Sequence, residues 1–350
     1  MQTADVVIIG GGVIGAAILH EVARSGLGRA VLLEKSTFGA GSTGKSGGFL
    51  RVYHTDSFLS DLAAASFHEF LELRAHIGYV RTGLLMLEKA ERVTEMEREV
   101  ERLTKLGHNL QSLSGSEGAE RFGGLEWQGV GGAVYEPDGG YADPVLTTRF
   151  WIKEARSRGA LASEGTQVLE ILHDNGRVTG VRTNRGVIQT SCVVLAAGAW
   201  SAELLRPMGI QLPVRSKTIQ IHFLMRPEEA VEHPAFLDET TDIYARPDQS
   251  GLSLVGLPVD EWDIDPDLSV PADDAVRLRQ ASAKRLPWSE SAWVSGGRRS
   301  FDGYTPDGRG LLKPADEVQG LLYAVGWNGG GYKLAPEIAR RVVQDIQNRK

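Results

Sequence analysis

A glycine-rich turn near the N-terminus constrains the fold of this chain more than any other feature. The run DVVIIG is short, rich in β-branched residues and ends in glycine, which is typical of a strand buried on both faces of a parallel sheet. The segment VIGAAILHEVARSG follows with helical periodicity, and AVLLEK has the composition of a second buried strand. These three segments predict a β-α-β unit and therefore an α/β fold of the Rossmann type.

The turn itself indicates a ligand. Gly10, Gly12 and Gly15 fit the pattern G-x-G-x-x-G, and Glu34 stands at the end of the next strand. Such glycines allow a tight turn, the approach of a pyrophosphate and close packing of helix on strand, while the acid binds a ribose. The pattern therefore predicts dinucleotide binding, the alternative being a purely structural turn. It does not separate FAD from NAD.

Three further segments favour FAD. The small-residue loop EKSTFGAGSTGKSGGFLR begins at Glu34, VVLAAGAWS ends a buried strand in small residues, and GWNGGGYKLAP joins three glycines to a helix near the C-terminus. Each allows the backbone to approach a ligand closely. A plain NAD-binding module does not need them, whereas a cofactor that passes deep through the protein does.

The remaining segments predict further helices and strands. Helical patterns cover 57–77, 91–106 and 143–159, the last with Asp143 as N-cap, and TGLLMLE (82–88) indicates a strand. The runs TQVLEILHD, RVTGVRTN and VIQTSCVVLAAG predict three more strands, with a turn at Asn175-Gly176 between the first two. A strand-rich, proline-punctuated segment follows over 212–295.

Composition excludes several classes of protein. The net charge of −7 argues against binding to nucleic acid or to an anionic membrane surface. Cys192 is the only cysteine of the 350 residues, so no intramolecular disulfide is possible. The N-terminus lacks a basic leader, and no apolar run is long enough to span a membrane. We therefore expect a cytoplasmic location, and no metal site is predicted.

Six segments together resemble the D-amino-acid oxidase-like (DAO) FAD-dependent oxidoreductases, nearest the glycine oxidase and monomeric sarcosine oxidase branch. They are VVIIGGGVIGAAILHEVA, GAGSTGKSGGFLR, GGYADP, VVLAAGAWS, GYTPDGRGLL and LLYAVGWNGGGYKLAP. The resemblance implies a Rossmann-like FAD-binding domain (GR2-type) formed by 1–80, 143–210 and 296–350. It also implies a substrate domain, built on an antiparallel sheet, formed by 81–142 and 211–295.

The resemblance and the glycine motif together assign a set of cofactor-binding residues, with the last helix beginning near Leu334 and directing its N-terminus at the flavin. The predicted cofactor-binding residues are Gly10, Gly12, Val13, Ile14, Gly15, Glu34, Lys35, Gly41, Ser42, Thr43, Ser46, Gly47, Gly48, Val168, Ala197, Gly198, Trp200, Gly303, Gly329, Gly330, Gly331, Tyr332 and Lys333.

Three side chains are the candidates for substrate contact. Arg51 and Lys333 stand where sarcosine-oxidase-like enzymes place the pair that grips a substrate carboxylate, the alternative being solvated surface charges. Tyr244 matches an aromatic residue that walls the substrate pocket, the alternative being a core tyrosine. Tyr53 and His54 lie near the same loop, and His54 is interpreted as structural.

Two positions depart from the sarcosine-oxidase-like pattern. Ser300 stands where those enzymes attach FAD through a cysteine, so the resemblance implies non-covalent FAD here. Ser253 stands in GLSLVG, the strand matched to their oxygen-activating lysine, which favours an electron acceptor other than oxygen.

The sequence thus predicts an FAD-dependent amino-acid or amine oxidase or dehydrogenase. Hydride transfer from the carbon next to nitrogen to flavin N5 gives an imine, which hydrolyses. A small-molecule amine or amino acid is the expected partner. Two alternatives stay open: an FAD-dependent 2-hydroxy-acid dehydrogenase, and the flavoprotein subunit of a heteromeric amine or opine dehydrogenase that needs a partner chain.

Overall fold

The central element of the fold is a six-stranded sheet that contains the predicted β-α-β unit. The computed structural model describes residues 2–263 and 274–348. Five neighbouring strands of this sheet run parallel, and an antiparallel strand closes one edge. In spatial order the strands are Leu311–Pro314, Leu321–Val325, Val193–Leu195, Val6–Ile9, Ala30–Leu33 and Leu161–Ser163.

Helices cover one face of this sheet, whereas the four-stranded sheet packs on the other, and the starts of the helices follow sequence signals. Asp143 caps the helix Pro144–Ser157 as predicted, because its carboxylate accepts hydrogen bonds from two backbone N–H groups, at Val145 and Leu146. The helix predicted over 57–77 ends at Glu72. The helices are Val13–Arg24, Ser42–Lys45, Ser57–Glu72, Val93–Lys105, Gly115–Arg121, Pro144–Ser157, Ser201–Leu205, Asp274–Ser282 and Gly331–Gln347.

A four-stranded sheet lies beside the central one, and it corrects one prediction. The run VIQTSCVVLAAG forms two strands in two different sheets, because the chain turns at Thr190, whose hydroxyl accepts a hydrogen bond from the N–H of Cys192. The Asn175-Gly176 turn is present, with positive φ at both residues. In spatial order the strands are Gln2–Thr3, Gly186–Gln189, Arg177–Thr183 and Val168–Asp174.

The third large sheet has eight strands and is antiparallel except for one parallel pair, Leu84–Glu88 with Ala235–Asp238. A separate two-stranded sheet pairs Phe49–Leu50 with Gly140–Tyr141. In spatial order the eight strands are Val294–Tyr304, Arg215–Met225, Leu252–Trp262, Tyr244–Pro247, Ala235–Asp238, Leu84–Glu88, Gly132–Glu136 and Gln111–Ser114.

The sheets agree with a discontinuous arrangement of two domains, and the domain bounds themselves remain predictions. Strands from three separated parts of the chain form the central sheet, as the predicted division requires. The strand Val294–Tyr304 crosses the predicted boundary at 296 and belongs to the eight-stranded sheet. Parts of the predicted domains, at residue 1, 264–273 and 349–350, lie outside the described residues.

The hydrophobic core follows from the buried parallel strands. Val6–Ile9 and Ala30–Leu33 are buried along their whole length, and the apolar faces of Val13–Arg24 and Gly331–Gln347 pack beside them. Among the described residues, no helix has the length and apolar character needed to cross a membrane.

Candidate functional site

A cavity of about 680 Å³ opens at the carboxyl ends of the central parallel strands. Ile9, Leu33, Ala196 and Val325, each at or just beyond the end of a different strand, contribute to its lining. Ligands of open α/β sheets bind at this edge, and cofactor cavities have volumes of roughly 300–1,000 Å³. The cavity therefore has the place and the size of a cofactor site.

The three motif glycines have different physical reasons to be glycine. Gly10 has φ +108°, and a Cβ there would lie 2.5 Å from the carbonyl oxygen of Ala196. A Cβ at Gly15 would lie 1.9 Å from the carbonyl oxygen of Gly10. At Gly12 the nearest atom would be the Thr43 hydroxyl at 3.2 Å, and Gly12 lines the cavity. Gly10 and Gly15 thus allow the turn to form, whereas Gly12 leaves space for a ligand.

The helix that follows the turn presents free backbone donors to the cavity. Gly12 is the N-cap residue of Val13–Arg24 and provides no side-chain cap, and the first turn contains no acidic residue. The Thr43 hydroxyl accepts a hydrogen bond from the N–H of Val13 at 3.0 Å. The remaining N–H groups of the first turn and the helix dipole together favour an anion such as a phosphate.

Glu34 is held at the cavity wall by two backbone N–H groups. Its carboxylate accepts hydrogen bonds of 2.7 Å from Gly11 and of 2.7 Å from Ser36. Each carboxylate oxygen can accept a further bond. Glu34 can therefore still accept bonds from the hydroxyl groups of a ribose.

The C-terminal glycine turn reaches the same cavity from another side. Gly329, which has φ +76°, and Gly331 both line it. The helix begins at Gly331, three positions before the predicted start near Leu334, and its N-cap Gly330 provides no side-chain cap. The indole N–H of Trp327 is buried without a hydrogen-bond partner in the described part of the chain, beside the cavity that Trp327 helps to line.

Most of the predicted cofactor-binding residues share this one cavity. Those that line it are Gly10, Gly12, Val13, Ile14, Glu34, Lys35, Gly41, Ser42, Thr43, Ser46, Val168, Ala197, Gly198, Trp200, Gly303, Gly329, Gly331 and Tyr332.

Five predicted residues are absent from the described lining, and three of them have a packing explanation. A Cβ at Gly15 or at Gly48 would overlap a backbone carbonyl oxygen, and one at Gly47 would lie 2.5 Å from the Phe49 ring. Gly48 also has positive φ. A side chain at any of these three positions would collide with neighbouring atoms, so local packing accounts for these glycines. The other two residues outside the lining are Gly330 and Lys333.

Arg51 and Lys333 come from opposite ends of the chain and lie near each other in its interior. Both are 7% exposed. The Arg51 guanidinium donates to the carbonyl oxygen of Tyr53, and the Lys333 ammonium donates to that of Gly330 at 3.5 Å. Among the described residues, no carboxylate lies within salt-bridge distance of either. The alternative that these two cations are solvated surface charges is therefore wrong, and their shared site stays a prediction.

Burial lowers the pKa of both side chains, and the Arg51 charge adds to the effect on Lys333. Burial, and then the Arg51 charge, lower the pKa of Lys333 to about 7, although Asp302 and Glu136 act to raise it. Burial also lowers the pKa of Arg51. Burial and these two cations lower the pKa of His54 well below its usual value, so His54 is neutral.

Glu136 was not singled out in the sequence. Its carboxylate is 2% exposed and accepts hydrogen bonds from the N–H groups of Val52, at 2.7 Å, and Tyr53, at 2.9 Å. Burial raises the pKa of Glu136 to about 7, while those hydrogen bonds and the charge of Arg51 oppose the rise. Glu136 thus fixes the backbone that carries Arg51, but an isolated glutamate near GGYADP has no sequence pattern that would reveal this.

Tyr244 and Asp302 lie on one face of the eight-stranded sheet. Tyr244 packs edge-to-face on Phe49, with ring centroids 5.7 Å apart, and burial and Asp302 raise its pKa. Asp302 lines the cavity, and burial raises its pKa. Asp302 lies within the conspicuous run RRSFDGYTPD, which could have identified it.

The two serine positions that depart from the sarcosine-oxidase-like pattern differ in placement. Ser300 lines the cavity. Ser253 is opposite Pro247, whereas Tyr244 is opposite Gly256, so their side chains lie on opposite faces of the sheet. The Ser253 hydroxyl instead bonds the His233 ring at 2.8 Å, in the core. Ser253 therefore does not lie on the Tyr244 face, and the nature of the electron acceptor stays a prediction.

Comparisons with known proteins show the family of the chain. A family model described as FAD dependent oxidoreductase (DAO) matches residues 5–344. The chain belongs to this family. Glycine oxidase of Geobacillus kaustophilus (strain HTA426) is 30% identical over 367 residues, which cover 99% of this chain and 93% of that protein. The crystal structure of L-proline dehydrogenase from P. horikoshii superposes with a TM-score of 0.90 at 25% identity, over 100% of this chain and 94% of the other.

Some relatives are much longer. Mitochondrial sarcosine dehydrogenase of Mus musculus is 27% identical over 352 residues, which cover 95% of this chain and 38% of that protein. This FAD-dependent oxidoreductase thus spans well under half the length of that relative. The family resemblance and the fold class predicted from the sequence are confirmed.

The residues of the cavity fit the cofactor of the family. Two uncapped helix N-termini, at Val13 and Gly331, face a space that also contains the Glu34 carboxylate. The first suits the pyrophosphate and Glu34 the ribose. The second provides partial positive charge for the pyrimidine side of a flavin ring. These residues would hold FAD.

Proposed function

We propose that this FAD-dependent oxidoreductase oxidises the C–N bond of an amino acid, or of a secondary amine that carries a carboxylate. One observation carries the proposal: two cations, Arg51 and Lys333, are buried together, with hydrogen bonds to backbone carbonyl groups and no salt bridge among the described residues. Burying two like charges is unfavourable unless an anion joins them. A substrate carboxylate is such an anion, because Arg offers a bidentate fork and Lys a point charge.

The protein's own contribution is then mainly to position the substrate. FAD, when bound, accepts the two electrons and the hydrogen that leave the carbon next to nitrogen. Arg51 and Lys333 hold the carboxylate, and Glu136 fixes the backbone around Arg51. Because a substrate held at its carboxylate has few orientations left, its reactive carbon is kept near the cofactor. The resulting imine hydrolyses to a carbonyl compound and an amine.

We call Arg51 and Lys333 the carboxylate clamp. The clamp is tested by comparing substrates with and without a carboxylate. Lys333→Met and Arg51→Met are each expected to lower kcat/KM for amino acids about 10- to 150-fold, since one charged hydrogen bond contributes roughly 1.5–3 kcal/mol. Matched amines that lack the carboxylate should be almost unaffected. The FAD content of each variant is measured from its absorbance, and the exposed Lys153→Met serves as the control.

Three outcomes are informative. Unchanged amino-acid turnover in both variants would show that the clamp is wrong and that the substrate is an uncharged or polycationic amine. Equal losses for amino acids and amines would indicate a general defect instead of lost carboxylate binding. A 2-hydroxy acid in the same panel tests the main alternative, because the clamp alone would hold it equally well.

A further inference from the structure

Asp302 places a carboxylate in the cavity wall close to the proposed clamp. It lies near the end of the strand Val294–Tyr304 and lines the cavity. Its Oδ2 atom would lie 3.3 Å from a Cβ built on Gly329, so it packs directly on the C-terminal glycine turn. Lys333 projects from the helix that begins after the same turn, and a Cβ on Gly330 would lie 3.9 Å from its ammonium nitrogen.

The polar groups around Asp302 come from five elements. Tyr304 lies on its own strand, and Lys217 lies directly opposite Asp302 on the neighbouring strand Arg215–Met225. Tyr244 lies on another strand of the same sheet, Ser42 on a short helix and Lys333 on the last helix. Burial raises the pKa of Asp302, while Ser42 and Lys333 act to lower it. Asp302 in turn contributes, after burial, to the raised pKa values of both tyrosines. The Lys217 ammonium lies over the Trp262 and Tyr304 rings. Lys333 is a cation that acts on the Asp302 carboxylate, which faces the cavity.

This arrangement matches the charges of a zwitterion. Arg51 and Lys333 form a positive group, and Asp302 forms a negative one beside Lys333. In an α-amino acid a single carbon separates the carboxylate from the ammonium. A carboxylate bound between the two cations would therefore leave the ammonium within reach of a carboxylate on the adjacent wall. Glu136 is less suited to this role, because it is absent from the described cavity lining, whereas Asp302 is part of that lining.

We infer that Asp302 binds the substrate ammonium and accepts one of its protons, so that the amine is neutral when the C–H bond breaks. The inference rests on the proposed function. The N–H bond breaks and its proton goes to a carboxylate oxygen of Asp302, which leaves a lone pair on nitrogen. The C–H hydrogen then leaves with both bonding electrons to the oxidised cofactor, and the nitrogen lone pair forms the C=N bond. The substrate loses two electrons and the cofactor gains them.

The decisive measurement compares two ligands of the same shape that differ in one charge. The amino acid 2-methylalanine has no hydrogen on its α-carbon and cannot be oxidised, and 2,2-dimethylpropanoate replaces its ammonium by a methyl group. Their dissociation constants are measured from the change in flavin absorbance, without turnover. We expect the wild-type protein to bind 2-methylalanine more tightly. Asp302→Asn should weaken 2-methylalanine about 10- to 100-fold and leave 2,2-dimethylpropanoate unchanged or bound more tightly.

The pH dependence provides a second measurement that does not need a variant. Over the pH range in which 2,2-dimethylpropanoate stays ionised, the wild-type preference for 2-methylalanine should decrease as pH falls and Asp302 becomes protonated. For a true substrate, the rate of anaerobic flavin reduction in Asp302→Asn should be low near neutral pH. It should approach the wild-type rate as pH nears the pKa of the substrate amine, because the free amine no longer needs a proton acceptor.

The outcomes separate this inference from the clamp. If the wild-type protein binds the two ligands equally well, or if Asp302→Asn weakens both alike, the role of Asp302 is wrong. A rate defect that stays the same at every pH would also overturn it. If Lys333→Met weakens neither ligand while Asp302→Asn acts on 2-methylalanine alone, the clamp fails and Asp302 remains the ammonium partner.

Discussion

At the scale of single residues, the folded protein disfavours the protonated, positively charged form of Lys333. The side chain is buried, and its pKa falls from 10.5 to about 7, first through burial and then through the Arg51 charge. In the unfolded chain the same lysine keeps its ordinary pKa. The folded state therefore binds the proton less tightly than the unfolded state does, which destabilises the fold wherever the unfolded chain is protonated.

This gives a prediction for stability. The penalty is complete below about pH 7, shrinks as pH rises towards about 10.5, and is absent above that value. Lys333→Met removes the charge and keeps most of the length, so it should raise the free energy of unfolding by about 2–5 kcal/mol near neutral pH. The gain should fall at alkaline pH. Denaturant unfolding of flavin-stripped protein at several pH values measures both effects.

The exposed Lys153→Met again serves as the control, because it should change the free energy of unfolding little at any pH. A lower stability of Lys333→Met, or a gain that does not depend on pH, would show that Lys333 is not a strained cation. A gain in stability together with the loss of amino-acid turnover would indicate that the strain is kept for function.

Sequence reasoning singled out individual residues only where a motif marked them. Arg51 and Lys333 were found because both adjoin segments that resemble flavin loops, although nothing in the sequence shows that they meet. Glu136 was missed because its role depends on hydrogen bonds to the backbone at Val52 and Tyr53, which only the folded chain brings within reach. Asp302 was missed although it lies in the conspicuous run RRSFDGYTPD, because the sequence does not show which face of its strand it occupies.

At the scale of elements, the glycines of the N-terminal turn have two roles. Gly12 leaves space for a ligand, whereas Gly10 and Gly15 allow the backbone to form the turn. Gly12→Val places a side chain in the cavity, where its Cβ meets only the Thr43 hydroxyl, and the backbone there, with φ −75°, accepts any residue. We expect the variant to fold and to lose at least about 100-fold in FAD affinity, because the added atoms occupy the pyrophosphate position. Fluorescence titration of stripped protein with FAD measures this affinity.

Two further glycine variants serve as controls for the FAD affinity of Gly12→Val. Gly123→Val, at an exposed position with open space around it, should bind FAD normally. Gly15→Val should fail to fold stably, because even its Cβ would lie 1.9 Å from the Gly10 carbonyl oxygen. Full FAD binding by Gly12→Val would show that the motif is only structural here.

The sequence predicted regular elements better than it predicted their ends and faces. Strong periodicity identified the β-α-β unit and the helix capped by Asp143. It did not show that VIQTSCVVLAAG divides between two sheets, because a break of a few residues leaves the composition β-like. The sequence also did not show on which face of the sheet the Ser253 side chain lies. A shift of one residue in the strand register moves every side chain to the opposite face.

At the scale of the whole molecule, the cavity is assembled from segments that are distant in sequence. Strands that begin at Val6, Val193 and Leu321 lie side by side, so the N-terminal turn and the C-terminal turn reach one space. This order could be anticipated from the family resemblance but not from local patterns, because nothing local specifies which strands pair. The same assembly places the eight-stranded sheet, with Ser300 and Asp302, against the cavity.

That placement supports the prediction of non-covalent FAD. Ser300 lines the cavity, and its hydroxyl offers no thiolate to form a bond with a flavin. The only cysteine, Cys192, precedes the strand Val193–Leu195 and is absent from the described cavity lining. We therefore expect the protein to purify yellow and to release its FAD into the supernatant after acid or heat denaturation, and Cys192→Ser to behave identically. Flavin that stays with the precipitated chain would contradict non-covalent binding. Protein that contains no flavin and binds none when FAD is added would instead show that the cavity does not hold the cofactor of its family.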